Sequence, residues 1–294
     1  MTGKPIRGAV LDHVAHAVPR WRDVWNRYAV DFGAEWASGG PGPGFAPAQL
    51  RFGNGARVEV LMPHDVQAND FLARFLDHSG PGPHHLTFKV PELDSALELV
   101  RASGFEPIGI DVSDPEWLEA FLHPKQATGV VVQLAQQAVP WSSPPPEDFP
   151  TQRRQRRDGT GAVTPALLQR VTHAVSDLGT ATALFVDLLG GRVVDEGSSP
   201  GLHWMDLAWE GPLGVRLVSP SRASSTGHLS EWLAGRTGRI HHLELVSEDP
   251  GGITGAHLSD PGSVRSETGP TQGDSWEIDP GANAGLRLVV HPSE

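Results

Sequence analysis

Four residues spread over the first 133 positions, His13, Glu59, His85 and Gln133, are of the types that hold a divalent cation: two imidazoles, one carboxylate and one amide oxygen. Each sits in a run whose apolar residues alternate. Val58, Val60 and Met62 take one side of their run and leave Glu59 on the other, and Val130, Val132 and Leu134 do the same to Gln133. His13 opposes Val14 and Val18, and His85 opens a run whose Leu86, Phe88 and Val90 share a face. An ionised carboxylate buried among such groups costs several kcal/mol or more unless it is paired or binds a metal. The expectation is therefore one divalent ion held by His13, Glu59, His85 and Gln133, with two positions open for water or substrate and with Co, Ni, Mn, Zn, Mg and Fe all allowed. Gln133 is the weakest ligand of the four, since water can replace a neutral amide. Glu59 is the only acidic residue that strand phase puts on this face and is the first candidate for a general base; His123, on a loop near the mouth with Lys125, is next. Glu59 could also pair with Arg57 on the same face.

Positioning these groups requires strands separated by helices. Residues 11–18 alternate as a strand, and Trp21, Val24, Trp25, Tyr28 and Phe32 have the spacing of an amphipathic helix stopped by Gly33. A Gly- and Pro-rich loop over 39–47 precedes strands at 49–52 and 57–62, joined by the turn Gly53-Asn54-Gly55. A short helix over 70–76 leads into the strand 85–90, a helix over 91–103 ends at Gly104, and strands follow at 107–112, 117–123 and 129–134. The order βαβββ thus occurs twice before residue 138.

It then recurs. Shifting the chain against itself by 157 positions (232 − 75) lays Trp232 to Glu244 over Phe75 to Thr87, and His173 over His16, so the chain is a tandem duplication of about 130 residues per unit. The expected organisation is an α+β protein of four βαβββ modules forming cup-shaped mixed sheets, with domains at 8–138 and 165–294. Between them, 139–164 reads as a Pro-rich and then basic, solvated linker carrying Arg153, Arg154, Arg156 and Arg157. Repetition of His16 as His173 marks both as interface or core residues; His84, one residue before His85 and so on the other side, reads as a loop or hydrogen-bonding residue. Cysteine is absent, which excludes disulfides and a thiolate nucleophile. With 35 acidic and 23 basic residues the net charge is −12, which disfavours nucleic acid as a partner. No stretch has the length and apolarity of a signal peptide or a membrane span, so the expected location is the cytoplasm, as a monomer or homodimer without membrane contact.

Asp12-His13-Val14-Ala15, Gly80-Pro81-Gly82-Pro83-His84-His85-Leu86, Phe121-Leu122-His123-Pro124-Lys125 and Gly129-Val130-Val131-Val132-Gln133-Leu134 resemble the vicinal oxygen chelate superfamily (glyoxalase, bleomycin resistance, dioxygenase), and within it the methylmalonyl-CoA epimerases most of all. The resemblance covers nearly all of residues 8–136. It implies paired βαβββ modules around a divalent metal, with His13, Glu59, His85 and Gln133 at the ligand positions. The epimerase pattern has Gln at the place of Glu59 and Glu at that of Gln133, and a further glutamate base on the strand matching 45–52, where this chain has none. The implied activity is isomerisation, epimerisation or a glyoxalase-like lyase reaction on a small carbonyl or thioester substrate, anionic or a CoA thioester, through an enolate. Two alternatives remain: a non-haem Fe(II) extradiol-type dioxygenase, and a metal-free drug- or metabolite-binding resistance protein. In the second half Arg170 and Arg216 fall on His13 and Glu59, His242 falls on His85, and Arg287 is the nearest match to Gln133. Arginine cannot ligate a metal, so this half is expected to be degenerate, its arginines closing the cup with ion pairs or holding an anion.

Overall fold

In the computed structural model, which describes residues 4–199, 201–221, 228–258 and 274–293, the first half begins with β1 (Val10–Ala17) and α1 (Arg22–Trp25, continued in π geometry through Asn26–Asp31). Then come β2 (Glu35–Gly39), β3 (Gly44–Arg51), β4 (Arg57–His64), α2 (Phe71–Ser79), β5 (Gly82–Lys89), α3 (Leu93–Ala102), β6 (Pro107–Asp114), β7 (Trp117–Leu122) and β8 (Val131–Gln137). The second half repeats the plan with β9 (Leu167–Val175), α4 (Leu178–Thr182, continued through Ala183–Leu188), β10 (Arg192–Ser199), β11 (Leu202–Ala208), β12 (Gly214–Pro220), α5 (His228–Leu233) and β13 (Gly238–Ser247). It closes with β14 (His257–Leu258), β15 (Trp276–Ile278) and β16 (Leu288–Pro292).

Two eight-stranded curled mixed sheets result, ordered β2-β3-β4-β1-β5-β8-β7-β6 and β10-β11-β12-β9-β13-β16-β15-β14. The orders correspond strand for strand. In the first sheet β1 pairs parallel with β4 and β5 parallel with β8, while β1 and β5 are antiparallel and join the two modules. All four residues singled out above lie on these central strands. The last module is abbreviated: the 3-10 turn Pro250–Gly252 stands where α3 would, and no α-helix follows it among the described residues.

Two sequence expectations need correction. Residues 44–47 of the Gly- and Pro-rich region are strand rather than loop, and 40–43 connect β2 to it: Pro47, which has no N–H to donate, lies just past the end of β2 at Gly39, where the Gly40 N–H bonds its carbonyl oxygen. The basic linker is also not free in solvent. Arg154 and Arg157 both bind the Asp249 carboxylate, at 2.6 and 2.9 Å, and Arg156 binds Glu248 at 2.8 Å, strapping the segment to the second half.

One face of each sheet packs on its helices and on the other half. Val14, Val58, Val60, Leu86, Phe88, Val132 and Leu134 join Val171, Phe185, Trp209, Leu217 and Leu245 in a single buried cluster. The Phe88 ring lies 5.1 Å from that of Trp209, across the halves. Buried histidines seal the junction: His16 Nε2 donates to the Ala284 carbonyl at 2.8 Å and His173 Nε2 to the Thr128 carbonyl at 3.0 Å. The next residues, Gly285 and Gly129, both have φ near +84°, and a Cβ at either would collide with the opposite half's backbone at Pro81 or Gly238. The other face of each sheet is the inside of a cup.

Candidate metal centre

Period-two alternation fixes which side chains enter the first cup. With Val14, Val58, Leu86 and Val132 committed to the core, His13, Glu59, His85 and Gln133 must point inward. His13 Nε2 and His85 Nε2 stand 3.5 and 3.6 Å from the same oxygen, Glu59 Oε2, and the three ligand atoms all fall within 4.8 Å of one another. Neighbouring ligands of one ion about 2.0–2.2 Å away from each are separated by about 3–3.5 Å, close to the spacing seen here. All three side chains are nearly sealed from solvent.

The far side of each imidazole is anchored. His13 Nδ1 donates to the Asp12 carboxylate at 2.8 Å. His85 Nδ1 lies 2.8 Å from His84 Nδ1, and His84 is wedged edge-on against the Phe75 ring, 4.6 Å between centroids. With Nδ1–H donating in both rings, each Nε2 presents a lone pair to the cup, the pattern in which a partner group fixes the tautomer of a metal-ligating histidine. Both Nε2 atoms are buried and have no hydrogen-bond partner. An orphaned buried ring nitrogen is costly, and two of them aimed at one carboxylate oxygen is the arrangement a cation would satisfy. These residues fit a divalent metal.

Electrostatics agree. Burial alone would lower the His13 pKa, but the Glu59 and Asp12 carboxylates outweigh it and raise it to about 9. Burial would raise Glu59, but His13 and His85 hold it down near 2. Without an ion, a proton on His13 takes the place of the cation. His85 is pushed well below the usual range by burial and by His84.

Gln133 lies beside His85, its amide oxygen accepting from Thr87 Oγ1 at 2.5 Å and its amide nitrogen donating to Glu119 Oε2 at 2.7 Å. Glu119 is a residue that sequence reasoning missed. It stands on β7 opposite the buried Ala120 and Leu122, so Glu59 is not the only acid facing the cup. Burial raises its pKa, with the Asp111 and Glu59 charges adding to the effect, and its Oε2 takes both the Gln133 and the Trp117 donors. The signal was available in the alternation of β7. Asp12 was hidden differently, because a bulge between Leu11 and His13 turns it in beside His13. Arg57 turns to Asp12 and Gln49 rather than to Glu59. His123 is exposed just beyond β7, its Nδ1 accepting the Lys125 N–H, and lies outside the group of three.

Residues 12–121 match the model of the Glyoxalase/Bleomycin resistance protein/Dioxygenase superfamily, a match that stops short of Gln133. The first half is a domain of that superfamily. A mutant of 4-hydroxymandelate synthase from Streptomyces coelicolor is similar over 99% of this chain and 92% of its own, at 14% identity and a TM-score of 0.62, so the tandem glyoxalase-like fold extends across both halves. Methylmalonyl-CoA epimerase from Mycobacterium tuberculosis is 26% identical over 47% of this chain and 94% of its own, with a TM-score of 0.41. A hypothetical protein from Bacillus halodurans C-125 is 23% identical over 47% of this chain and 100% of its own, with a TM-score of 0.42. No curated protein matches the chain by sequence.

The second glyoxalase-like cup has filled itself. Arg170 Nη2 binds Glu244 at 2.8 Å and its Nη1 binds Asp206 at 2.6 Å, while Arg216 Nε meets the other Asp206 oxygen at 2.6 Å. Asp206 and Glu244 stand at the places of Gln49 and Thr87. Arg287 is not the counterpart of Gln133. The stretch from β13 to β15 is one residue shorter than that from β5 to β7, while the loops before β16 and β8 are equal in length, so Val289 takes that register and Arg287 pairs with Glu277 instead. No helix among the described residues is long and apolar enough to cross a membrane.

Proposed function

We propose that the first cup binds one divalent metal through His13, Glu59 and His85, with Gln133 or water beside them, and catalyses proton transfer at the carbon next to a carbonyl or thioester. The observation that carries this reading is the pair of anchored imidazoles whose orphaned Nε2 atoms meet one Glu59 oxygen. A bound metal would polarise the carbonyl oxygen and stabilise the enolate oxygen that follows C–H ionisation.

The chain's own residues do the rest. Asp12 and His84 hold the two rings in place. Glu59, with one oxygen toward the imidazoles and the other accepting from Gln49, is the nearest carboxylate to take the proton. Glu119 belongs to β7, on the opposite flank of β1 and β5 from β4, and the curl of the sheet brings it within electrostatic reach of Glu59. Its Oε2 is occupied and its Oε1 is free to hand a proton to the other face of a planar enolate, which is what inversion of a stereocentre requires. An isomerase or epimerase is thus favoured over a lyase.

The test is solvent deuterium incorporation into 2-oxo acids and CoA thioesters by the metal-loaded protein. Wild type should exchange the acidic C–H. Glu59→Gln should keep metal, through its amide oxygen, and slow exchange by on the order of 10²- to 10⁴-fold. Glu119→Gln should allow exchange but block inversion. Equal exchange in wild type and Glu59→Gln would remove Glu59 as base, and oxygen uptake without exchange would replace the reading with a dioxygenase.

A further inference from the structure

The rim of the first cup carries more positive charge than its framework needs. Asp12 Oδ2 is taken by His13, which leaves Oδ1 as the only carboxylate oxygen for two cations: Lys89 Nζ at 2.9 Å and Arg57 Nη1 at 3.4 Å. Two cations set against the single carboxylate of Asp12 leave about one surplus positive charge. Arg57 is only weakly held. Its other contact is a 3.4 Å hydrogen bond to the neutral Gln49, and its Nε–H is buried with no partner. Both side chains keep a solvent-facing portion, 31% for Arg57 and 27% for Lys89. They are open to a ligand that enters the cup.

Position makes this more than surface charge. Arg57 is two residues before Glu59 on β4, so its Cα lies about 6.6 Å along the strand from that of Glu59. Its Cα partner across the sheet is His13. Lys89 is two residues after Thr87 on β5, on the same inward face. Among the described residues the closed second cup has nothing comparable: Gln169, Gly214 and Val246 occupy the positions of Asp12, Arg57 and Lys89. The cations accompany the cup that keeps its imidazoles.

We infer that Arg57 and Lys89 form an anion subsite at the rim, which binds a carboxylate or phosphate carried a few bonds away from the carbonyl that faces His13, Glu59 and His85. The inference rests on the metal reading above and narrows its substrate to an anionic carbonyl compound, such as an oxo acid or an acyl thioester with a second acidic group. A guanidinium and an ammonium converging on one side supply charge-assisted bonds that orient the substrate and add electrostatic attraction in a chain whose net charge is −12.

Two hydroxamates with the same metal-binding head separate the subsite from the metal: the monohydroxamate of succinic acid, which carries a terminal carboxylate, and butanohydroxamate, which ends in a methyl group. With Co(II)-loaded protein, wild type should bind the first about tenfold or more tightly than the second, as a charge-assisted contact predicts, and the preference should shrink with added salt. The double variant Arg57→Gln, Lys89→Gln should lose the preference, with butanohydroxamate binding little changed, and the charge-keeping pair Arg57→Lys, Lys89→Arg should retain most of it. Co(II) binding without a preference in wild type, or a preference that survives the double glutamine variant, overturns the inference and leaves the metal reading standing. If Co(II) does not bind, the metal reading falls. Succinate titrated into metal-free protein then decides the subsite alone, with binding lost in the double variant supporting it and equal binding overturning it.

Discussion

The two cups share a strand order, a register and a buried histidine at each junction, yet solve the burial of charge in opposite ways. In the second, Arg170 and Arg216 saturate Asp206 and Glu244, so every strong charge has a partner from the chain itself. In the first, His13 and His85 aim Nε2 atoms that make no hydrogen bond at one shared carboxylate oxygen, 3.5 and 3.6 Å away. A fold that can close such a cup with four side chains, and does so once, has left the other with places for an outside ligand. On the proposed function, the structural task belongs to the second half and the chemical task to the first.

The strongest way to break the contrast is to unpair the closed cup. Arg216→Met leaves Asp206 and Glu244, both almost wholly buried, short of a cation, and should cost about 3–5 kcal/mol in denaturant unfolding. Glu59→Gln, in metal-free protein, should cost less, because the protonated His13 that Glu59 faces keeps a second carboxylate, Asp12, on its other nitrogen. Equal losses would mean that the first cup is also a self-satisfied ion network.

The matched histidines at the junction offer a second break. Burial holds His16 and His173 at about 4, below the ordinary 6.5, so both are neutral in the folded state at neutral pH. Their stabilisation is complete above the unfolded value and is lost as the pH falls from about 6.5 towards 4, by about 3 kcal/mol each at full effect. Stability measured across that window should fall with a slope of about 1.4 kcal/mol per pH unit for each histidine, and His16→Gln should remove one share. An unchanged slope in that variant would place the proton uptake elsewhere.

Smallest is the strap. Arg156 and Glu248 are both partly exposed, so Arg156→Gln should lower stability only slightly, and less in high salt. A larger loss, read from the same unfolding curves, would make the strap a principal tie between the halves.

Much of this was legible in the sequence, wherever strand phase and repetition decide. Val58, Val60 and Val132 alternate strictly, so Glu59 and Gln133 could be placed inward without coordinates, and alignment alone put arginines 170 and 216 at the places of His13 and Glu59. What escaped were departures from period and register. The bulge beside Leu11 brought in Asp12, the one-residue deletion before β15 exchanged Arg287 for Val289, and Pro47 disguised a strand as a loop. Glu119 escaped for a different reason: it lies four strands from Glu59 in the sheet order, and only the curl of the sheet brings the two within electrostatic reach.

Metal content per chain tests the difference between the cups most directly. Protein loaded with Co(II), Ni(II) or Mn(II) and freed of unbound ion should retain one equivalent by elemental analysis. His85→Ala should retain close to none and His242→Ala one, with circular dichroism verifying that both variants are folded. No metal in wild type, or an equivalent that survives His85→Ala and is lost in His242→Ala, would contradict the account.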